Sequence, residues 1–281
     1  MIDQARIRRA FARAAANFDA QDFLHREVRE RLLERLLAVS IEPDRIIDLG
    51  AGTGNATRDI QDRFPAAQIL SVDSSAQMLA ASNIAPSRLC AEAAKLPLID
   101  ACSDLVISNL MLHHCPNPAA ILTEARRVLS DQGALMLTTF GRNSFIELGR
   151  AWASADPFTH IAPFFDIQDL GNLLTTNGFT EPVLDIQTLT ITYDNLIRMM
   201  QDLRSAGSTN STNDRNRGLT GRGAWQRLTD AYDQLRGADG KLPVSIEIIF
   251  VLAWAGKHNT AGGEVEIPID TIGKVFREPP P

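Results

Sequence analysis

Three glycines at alternate positions, Gly50, Gly52 and Gly54, separate the apolar run Arg45-Ile46-Ile47-Asp48-Leu49 from a segment of helical character that continues to about Arg63. A strand that enters a helix through such a turn brings backbone amides close to a ligand, and the helix N-terminus favours a negative group there. The alternation then repeats. Strand-like runs at 68–72, 88–91, 104–108 and 134–139 are interleaved with helical patterns at 76–82 and 118–129. Strands alternating with helices of this length imply a parallel sheet covered on both faces, because right-handed crossovers place the helices there.

The flanks follow different rhythms. In the first forty residues Ala12 to Ala16 favours helix, and Phe23, Leu24, Val28, Leu32, Leu33, Leu36 and Leu37 recur at three- and four-residue steps, so this stretch reads as an amphipathic helical cover. After Gly141 a segment bearing Trp152, Phe158, Phe164 and Phe165 precedes a helix at 166–177, which Gly178 ends. A strand at 183–192 follows. The excursion from 193 to 240 reads as helix, a polar loop over 205–217 and a second helix, and a strong strand occupies 243–254. Excursions of this size inside a compact domain are usually lids or disordered segments. The tail after Lys257 holds Gly262-Gly263, a short run at 265–269 and Pro279-Pro280-Pro281, and is expected to be partly loose. With 281 residues, 44% of them apolar, the chain can bury a full core. The expected organisation is a helical cover at 1–40, one ligand-binding α/β domain at 41–256 with insertions at about 142–165 and 193–241, and a tail at 257–281.

Charge and cysteine usage exclude other classes. A formal net charge of −6 argues against bulk binding to nucleic acid or an anionic membrane. No signal-peptide pattern and no apolar run long enough to span a bilayer occurs. Cys90, Cys102 and Cys115 share no paired spacing, so neither a disulfide framework nor a metal site is expected, and a reducing cytoplasm is. One region departs from the acidic average. Between Arg198 and Lys241, Arg198, Arg204, Arg215, Arg217, Arg222, Arg227, Arg236 and Lys241 face Asp202, Asp214, Asp230, Asp233 and Asp239, eight cations against five anions. It is either a solvated helical surface or a docking face for an acidic partner.

The glycine spacing also discriminates among nucleotides. Gly50, Gly52 and Gly54 form G-x-G-x-G, with Asn55 where a dinucleotide fingerprint would carry its third glycine, which disfavours a nicotinamide oxidoreductase. Asp48, at the end of the first strand, would repel a pyrophosphate and suits a ligand carrying a positive centre. Asp73, at the end of the second, is placed to accept both hydroxyls of a ribose or to cap the helix beginning near Ser75.

The set Asp48-x-Gly50-x-Gly52-x-Gly54, Asp73, Ala91-Glu92-Ala93-Ala94-Lys95-Leu96-Pro97-Leu98 and Asp104-Leu105-Val106-Ile107-Ser108-Asn109 resembles the Rossmann-like, S-adenosylmethionine-dependent methyltransferases. The resemblance implies a doubly wound, mostly parallel, seven-stranded α/β sheet whose glycine turn holds the methionine part of the donor. It implies ribose at Asp73 and the adenine amino group at Glu92, where the family often has Asp. Asp48, Gly50, Gly52, Gly54, Asp73, Glu92 and Asn109 are the expected cofactor residues, with S-adenosylhomocysteine as the product.

Further stretches narrow the resemblance. Phe11-x-x-Ala14-Ala15-x-x-Phe18-Asp19 with Leu24 and Glu27, Ser108-Asn109-Leu110-x-Leu112, Phe164-Phe165-Asp166-x-x-Asp169-Leu170-Gly171, Leu203-Arg204-x-x-Gly207 and Gly240-Lys241-Leu242-Pro243-x-Ser245-x-Glu247 are similar to the malonyl-acyl-carrier-protein O-methyltransferases of biotin synthesis, over about 7–254. Phe18 stands where that family usually has Tyr, so no phenol role carries over. The partner this implies is an acidic acyl carrier protein bearing a malonyl thioester, which gives the basic insertion a purpose. A small-molecule or quinone-type methyltransferase shares the cofactor motifs, and a methyltransferase-like assembly factor for a respiratory complex has similar terminal segments.

Methylation of a carboxylate needs no general base, because a carboxyl with a pKa of roughly 4 is already ionised. Orientation and exclusion of water suffice. A group must still grip the acceptor. His113, Arg204 and Tyr193 are the expected set, with His114, Arg142 and His160 as further candidates. His113 is favoured by its place just after the fourth strand, since ligands in such sheets sit beyond the carboxyl ends. Trp152, Phe164 and Phe165 are either core or the lining of a channel for the thioester arm.

Overall fold

Alternate residues of each central strand carry apolar side chains to opposite faces, and this period of two organises the molecule. The computed structural model describes residues 2–82, 87–205 and 218–256 together with Asn210, Thr212, Asp214 and Arg215, the side chains of Arg204 and Ser205 excepted. Among these residues the strands are β1 (Arg45–Leu49), β2 (Gln68–Asp73), β3 (Ser87–Cys90), β4 (Ser103–Ser108), β5 (Leu129–Phe140), β6 (Phe179–Tyr193) and β7 (Leu242–Ala255). They form one sheet in the order β3-β2-β1-β4-β5-β7-β6, parallel from β3 to β5 and antiparallel where β7 enters between β5 and β6. This is the doubly wound, mostly parallel arrangement expected from the alternation.

The helices are α1 (Gln4–Ala14), α2 (Phe23–Leu36), α3 (Asn55–Arg63), α4 (Ala76–Ala81), α5 (Pro118–Val128), α6 (Ile146–Ala155), α7 (Ile167–Thr176), α8 (Leu196–Ser205) and α9 (Arg222–Asp233). Ile46, Leu105 and Ile107 face Val28, Leu32 and Leu36 of α2 and Ile60 of α3 on one side. Ile47, Leu49 and Val106 face Leu122 of α5 and Leu170 and Leu174 of α7 on the other. The starts of α4, α5 and α7 are capped by Ser75, Asn117 and Asp166, each accepting a backbone amide of the first turn. Asp73 is therefore not the cap of α4. Its carboxylate accepts instead from the Ser75 amide at 2.7 Å.

Three expectations need correction. The N-terminal stretch is not one continuous cover: it breaks between α1 and α2, and α2 belongs to the core layer while α1 lies across the strand ends. β5 begins at Leu129 rather than 134, because the chain passes through Gln132 at φ 64° and continues pairing instead of making a free turn. β6 begins at Phe179 rather than 183. Its pairing with β7 shifts register between Thr180 and Val183, around Glu181 at φ 48°, and that irregularity masks its first residues in the sequence pattern. The tail beyond Gly256, with its 265–269 run, and most of the polar loop at 205–217 lie outside the described residues.

The two insertions begin at the carboxyl ends of β5 and β6, which point to the same edge of the sheet. A buried knot holds the first in place. The Glu247 carboxylate accepts from the side-chain amide of Asn143 at 2.8 Å, the Ser144 hydroxyl donates to the Glu247 carbonyl at 2.8 Å, and the Glu247 amide donates back to Ser144 Oγ at 3.0 Å. Gly141 passes so close that a Cβ there would stand 2.2 Å from the Glu247 carboxylate. Glu247→Ala should therefore lower the unfolding free energy by about 2 kcal/mol, with Glu247→Gln retaining most of it, as read by urea denaturation.

Candidate active site

The sheet order reverses between β1 and β4, and a cavity lies beyond the carboxyl ends there, as in other open α/β sheets. Its volume is about 210 Å³. Successive strand ends supply its wall: Gly50 to Thr53 after β1, Asp73 to Ser75 after β2, Ala91 to Ala94 after β3, and Asn109 to Met111 with His114 after β4. Helix α1 closes it with Gln4, Ile7, Arg8 and Phe11, four positions on one helical face.

The glycine turn is held to its strand and to the neighbouring one. The amides of Gly50 and Ala51 donate to the Val72 carbonyl at 2.8 and 3.0 Å, and the Gly52 amide donates to Asp73 Oδ2 at 3.0 Å. Gly50 and Gly52 both have positive φ, +81° and +58°, which side-chain-bearing residues rarely adopt. A Cβ on Gly50 would also strike Met111 at 2.5 Å. Asp73 therefore both shapes the loop and lines the cavity, and burial pushes its pKa up.

Two of the expected cofactor residues do not reach the wall. Asp48 is buried behind the turn, where it accepts from the Thr57 hydroxyl at 2.6 Å, and Thr57 in turn meets Ser71 at 2.7 Å. Its carboxyl is pushed up to about 6 by burial, so it anchors the start of α3 rather than facing a ligand. Gly54, at φ +87°, packs against α4, where a Cβ would meet Ser82 Oγ at 2.6 Å. Asn109 does line the cavity, but its amide is engaged: it donates to the His25 carbonyl at 2.9 Å and accepts from the Thr138 hydroxyl at 2.8 Å. Glu92 lines it too, and its carboxylate is bonded by Arg8 at 2.9 Å and by Gln4.

A second cavity, of about 110 Å³, adjoins the first, with His114 and Ile7 on the walls of both. Phe140, Phe145, Leu148, Ile161 and Phe164 make it largely apolar. His113 lies on its wall, buried, with its pKa well below the ordinary value because of burial and the adjacent His114 and His25. His114 is likewise held down, to about 3, chiefly by loss of solvent.

The remaining acceptor candidates are dispersed. Tyr193 is buried at the end of β6 beside a minor cavity with His25, Phe145 and Leu203, away from both larger ones, and burial raises its pKa to about 12. The Arg204 side chain lies outside the described residues. Arg142 is exposed and paired with Asp166 at 2.6 Å. His160 borders the second cavity, stacked on Trp152 at 3.6 Å between ring centres and bonded to Asp156 at 2.8 Å. Of the three aromatic residues read as core or channel, Phe164 lines the cavity while Trp152 and Phe165 pack beside it in the core.

Sequence reasoning missed Gln4, Arg8, His25 and Met111. The 4-7-8-11 spacing on α1 carried a signal for the first two, whereas Met111 and His25 reach the cavity through packing alone. The cover is also tied to the turn. Asp19 accepts from the Thr53 hydroxyl at 2.5 Å and from the Asn55 side chain at 2.9 Å, and Asp22 accepts from Asn55 at 3.2 Å.

An open sheet of this order with a glycine cradle and two carboxylates at successive strand ends defines a nucleoside-binding α/β enzyme of the methyltransferase class. A family model described as a methyltransferase domain matches residues 20–181. The chain is 39% identical over 266 residues to a malonyl-acyl-carrier-protein O-methyltransferase of Gallionella capsiferriformans, covering 90% of this chain and 91% of that one. The protein of the same name from Nitrosospira multiformis is 37% identical over 282 residues, covering 92% of each. A solved structure of a putative methyltransferase from Bacillus halodurans shares the fold, with a TM-score of 0.59 at 16% identity, over 82% of this chain and 99% of that one. The chain belongs to the family of malonyl-acyl-carrier-protein O-methyltransferases. No helix among the described residues is long and apolar enough to cross a membrane.

Gly52→Val forces a β-branched residue into a left-handed conformation at the cavity wall. Calorimetry with S-adenosylhomocysteine should show binding abolished, and Asp73→Ala should weaken it by at least tenfold. The raised pKa of Asp48 predicts a pH signature. The folded state holds this proton more tightly than the unfolded state, so its contribution to stability falls as pH rises from about 4 to about 6. Asp48→Asn should remove that fall. Denaturation midpoints of the two proteins across this window measure it.

Proposed function

We propose that this chain transfers the methyl group of S-adenosylmethionine to the free carboxylate of a malonyl thioester carried on an acyl carrier protein, the methyl-ester-forming step that the sequence resemblance assigns to biotin synthesis. The observation that carries the reading is the pair of adjoining cavities that meet at His114 and Ile7, the first with carboxylates on its wall and the second smaller and, among the described residues, without one. The curated relatives named for this reaction, alike over nearly the whole chain, support it.

The first cavity suits the donor. The cradle at Gly50 and Gly52 would be filled by a Cβ, and Asp73 and Glu92 offer acceptors for hydroxyl and amino groups. When bound, the donor supplies an electrophilic methyl group on a positively charged sulfur. Gln4 and Arg8 each bond one Glu92 oxygen, which leaves a lone pair on each to accept an adenine amino group.

The second cavity suits the acceptor. Its apolar wall strips water from the carboxylate and strengthens its attraction to the cationic donor. A carboxylate oxygen supplies the electron pair of the new O–C bond, the pair of the broken C–S bond goes to sulfur, and no proton moves. Holding the reacting atoms in line can account for about 7 to 11 kcal/mol of the barrier.

Carrier docking falls to the second insertion, with a revision of which cations serve it. Arg215 is turned inward, 3.8 Å from Asp3, Arg227 donates to the Ala155 carbonyl, and Arg236 is bonded to Asp233 and two carbonyls. Arg217 lies outside the described residues. Arg198, Arg222 and Lys241 are exposed and are assigned to the acidic partner. The reaction belongs in the cytoplasm on this reading, where the chain's three free thiols stay reduced.

Labelled S-adenosylmethionine with malonyl carrier protein should yield a base-labile methyl ester. Label only on a small aromatic acceptor, or no transfer, would overturn the reading. Reversing Arg198, Arg222 and Lys241 together to Glu should raise the carrier-protein KM at least fivefold at low salt and leave the KM for malonyl-pantetheine unchanged.

A further inference from the structure

The second cavity contains a polar atom that no described residue satisfies. Nε2 of His113 is buried without a hydrogen-bond partner. Leaving such an atom unpaired carries its full desolvation penalty, and it is tolerated where a ligand completes it. The other polar side chains on this wall are committed or differently placed. His160 is bonded to Asp156, the Asn210 amide donates to the Thr159 carbonyl and accepts from Thr212, and His114 opens on both cavities. Among the described residues no lysine, arginine or carboxylate lines this chamber.

The His113 ring is firmly oriented. Phe140 stacks on it with ring centres 4.1 Å apart and planes 27° apart, Phe164 meets it edge-on at 5.8 Å, and His114 lies 4.1 Å away. Nδ1 stands 3.4 Å from the Thr139 hydroxyl, itself fully buried in β5. The hydroxyl can donate or accept in this contact, and where it donates to Nδ1 the ring proton resides on Nε2.

We propose that Nε2–H of His113 is the donor that holds the free carboxylate of the acceptor, with Thr139 as the positioning residue that selects this tautomer. The proposal rests on the two-cavity reading of the reaction. Its chemistry suits an alkylation. A neutral imidazole orients one carboxylate oxygen without fully neutralising the anion, so the other oxygen keeps its nucleophilicity. A guanidinium in the same place would form a bidentate pair and engage both oxygens. Placement next to His114, the residue shared with the donor cavity, brings the held carboxylate to the junction where the methyl group must cross.

Steady-state kinetics with malonyl carrier protein at saturating S-adenosylmethionine, compared for wild type and three variants, tests it. His113→Phe keeps the stack on Phe140 and removes the donor, and should lower kcat/KM by about 10- to 100-fold. His113→Gln restores a side-chain N–H of similar reach and should recover to within about fivefold of wild type. Thr139→Val leaves the ring in place but frees its tautomer, and should lower kcat/KM by about threefold to tenfold. Affinity for S-adenosylhomocysteine should be unchanged in all three. Wild-type kcat/KM in His113→Phe and Thr139→Val overturns the assignment, as does a His113→Gln variant no better than His113→Phe. A wild-type protein that esterifies no malonyl thioester overturns the functional reading itself, before any variant is compared.

Discussion

The Asp73 carboxylate is the point on which the site is assembled. One oxygen accepts the Gly52 amide and the other the Ser75 amide, so a single side chain at the end of β2 bends the glycine turn toward the neighbouring strand and starts α4. Desolvation raises its pKa, and the two amides offset part of that cost by favouring the charged form. Because the turn is fixed in this way, its left-handed glycines present an open cradle instead of collapsing onto Met78 and Met111. The position of the cavity, and through it the junction with the acceptor chamber, follows from this contact.

A second constraint is the placement of the carboxylates, which line only the first of two cavities whose walls are both mainly apolar. Carboxylates, backbone amides and the Asn109 amide cluster around the first, where a ligand with hydroxyl, amino and charged groups needs partners. Aromatic and aliphatic side chains surround the second, with neutral imidazoles as its polar groups near the junction. An anion entering there loses water, and its attraction to a neighbouring cation grows accordingly. Helix α1 belongs to both chambers. Its 4-7-8-11 face covers the first, while Asp3 and Arg6 reach Arg215 and the Asn210 carbonyl at the edge of the second. The N-terminal segment thus joins the first cavity to the second insertion.

Much of this was legible from local pattern. The G-x-G-x-G turn, the acids at 73 and 92 and the β-α alternation each depend on backbone period or on residues within one strand-turn-helix unit, and Gly50, Gly52, Asp73 and Glu92 meet on the wall of one cavity. Asp48 shows where such reading stops. A carboxylate one residue before the turn looks like a ligand for a positive centre, yet it points into the core because the strand's period of two directs it to Thr57 and Ser71. Tyr193 fails differently. It ends β6 at the same edge of the sheet, but three strands away from β4 and the junction that follows it, beside a minor cavity.

The sequence by itself determined the doubly wound sheet and the glycine turn at the end of its first strand, because these follow from periodicity and short-range geometry, while the methyl donor was legible only through the resemblance of its motifs to a known family. Tertiary structure alone decided which side chains line and close the two cavities. The orphaned nitrogen of His113, its contact with Thr139, the closure of the cavity by Gln4 and Arg8, and the inward turn of Arg215 all join residues far apart in the chain. Their meeting depends on how helices and insertions pack over the strand ends, and a packed contact between distant segments leaves no periodic trace in the sequence.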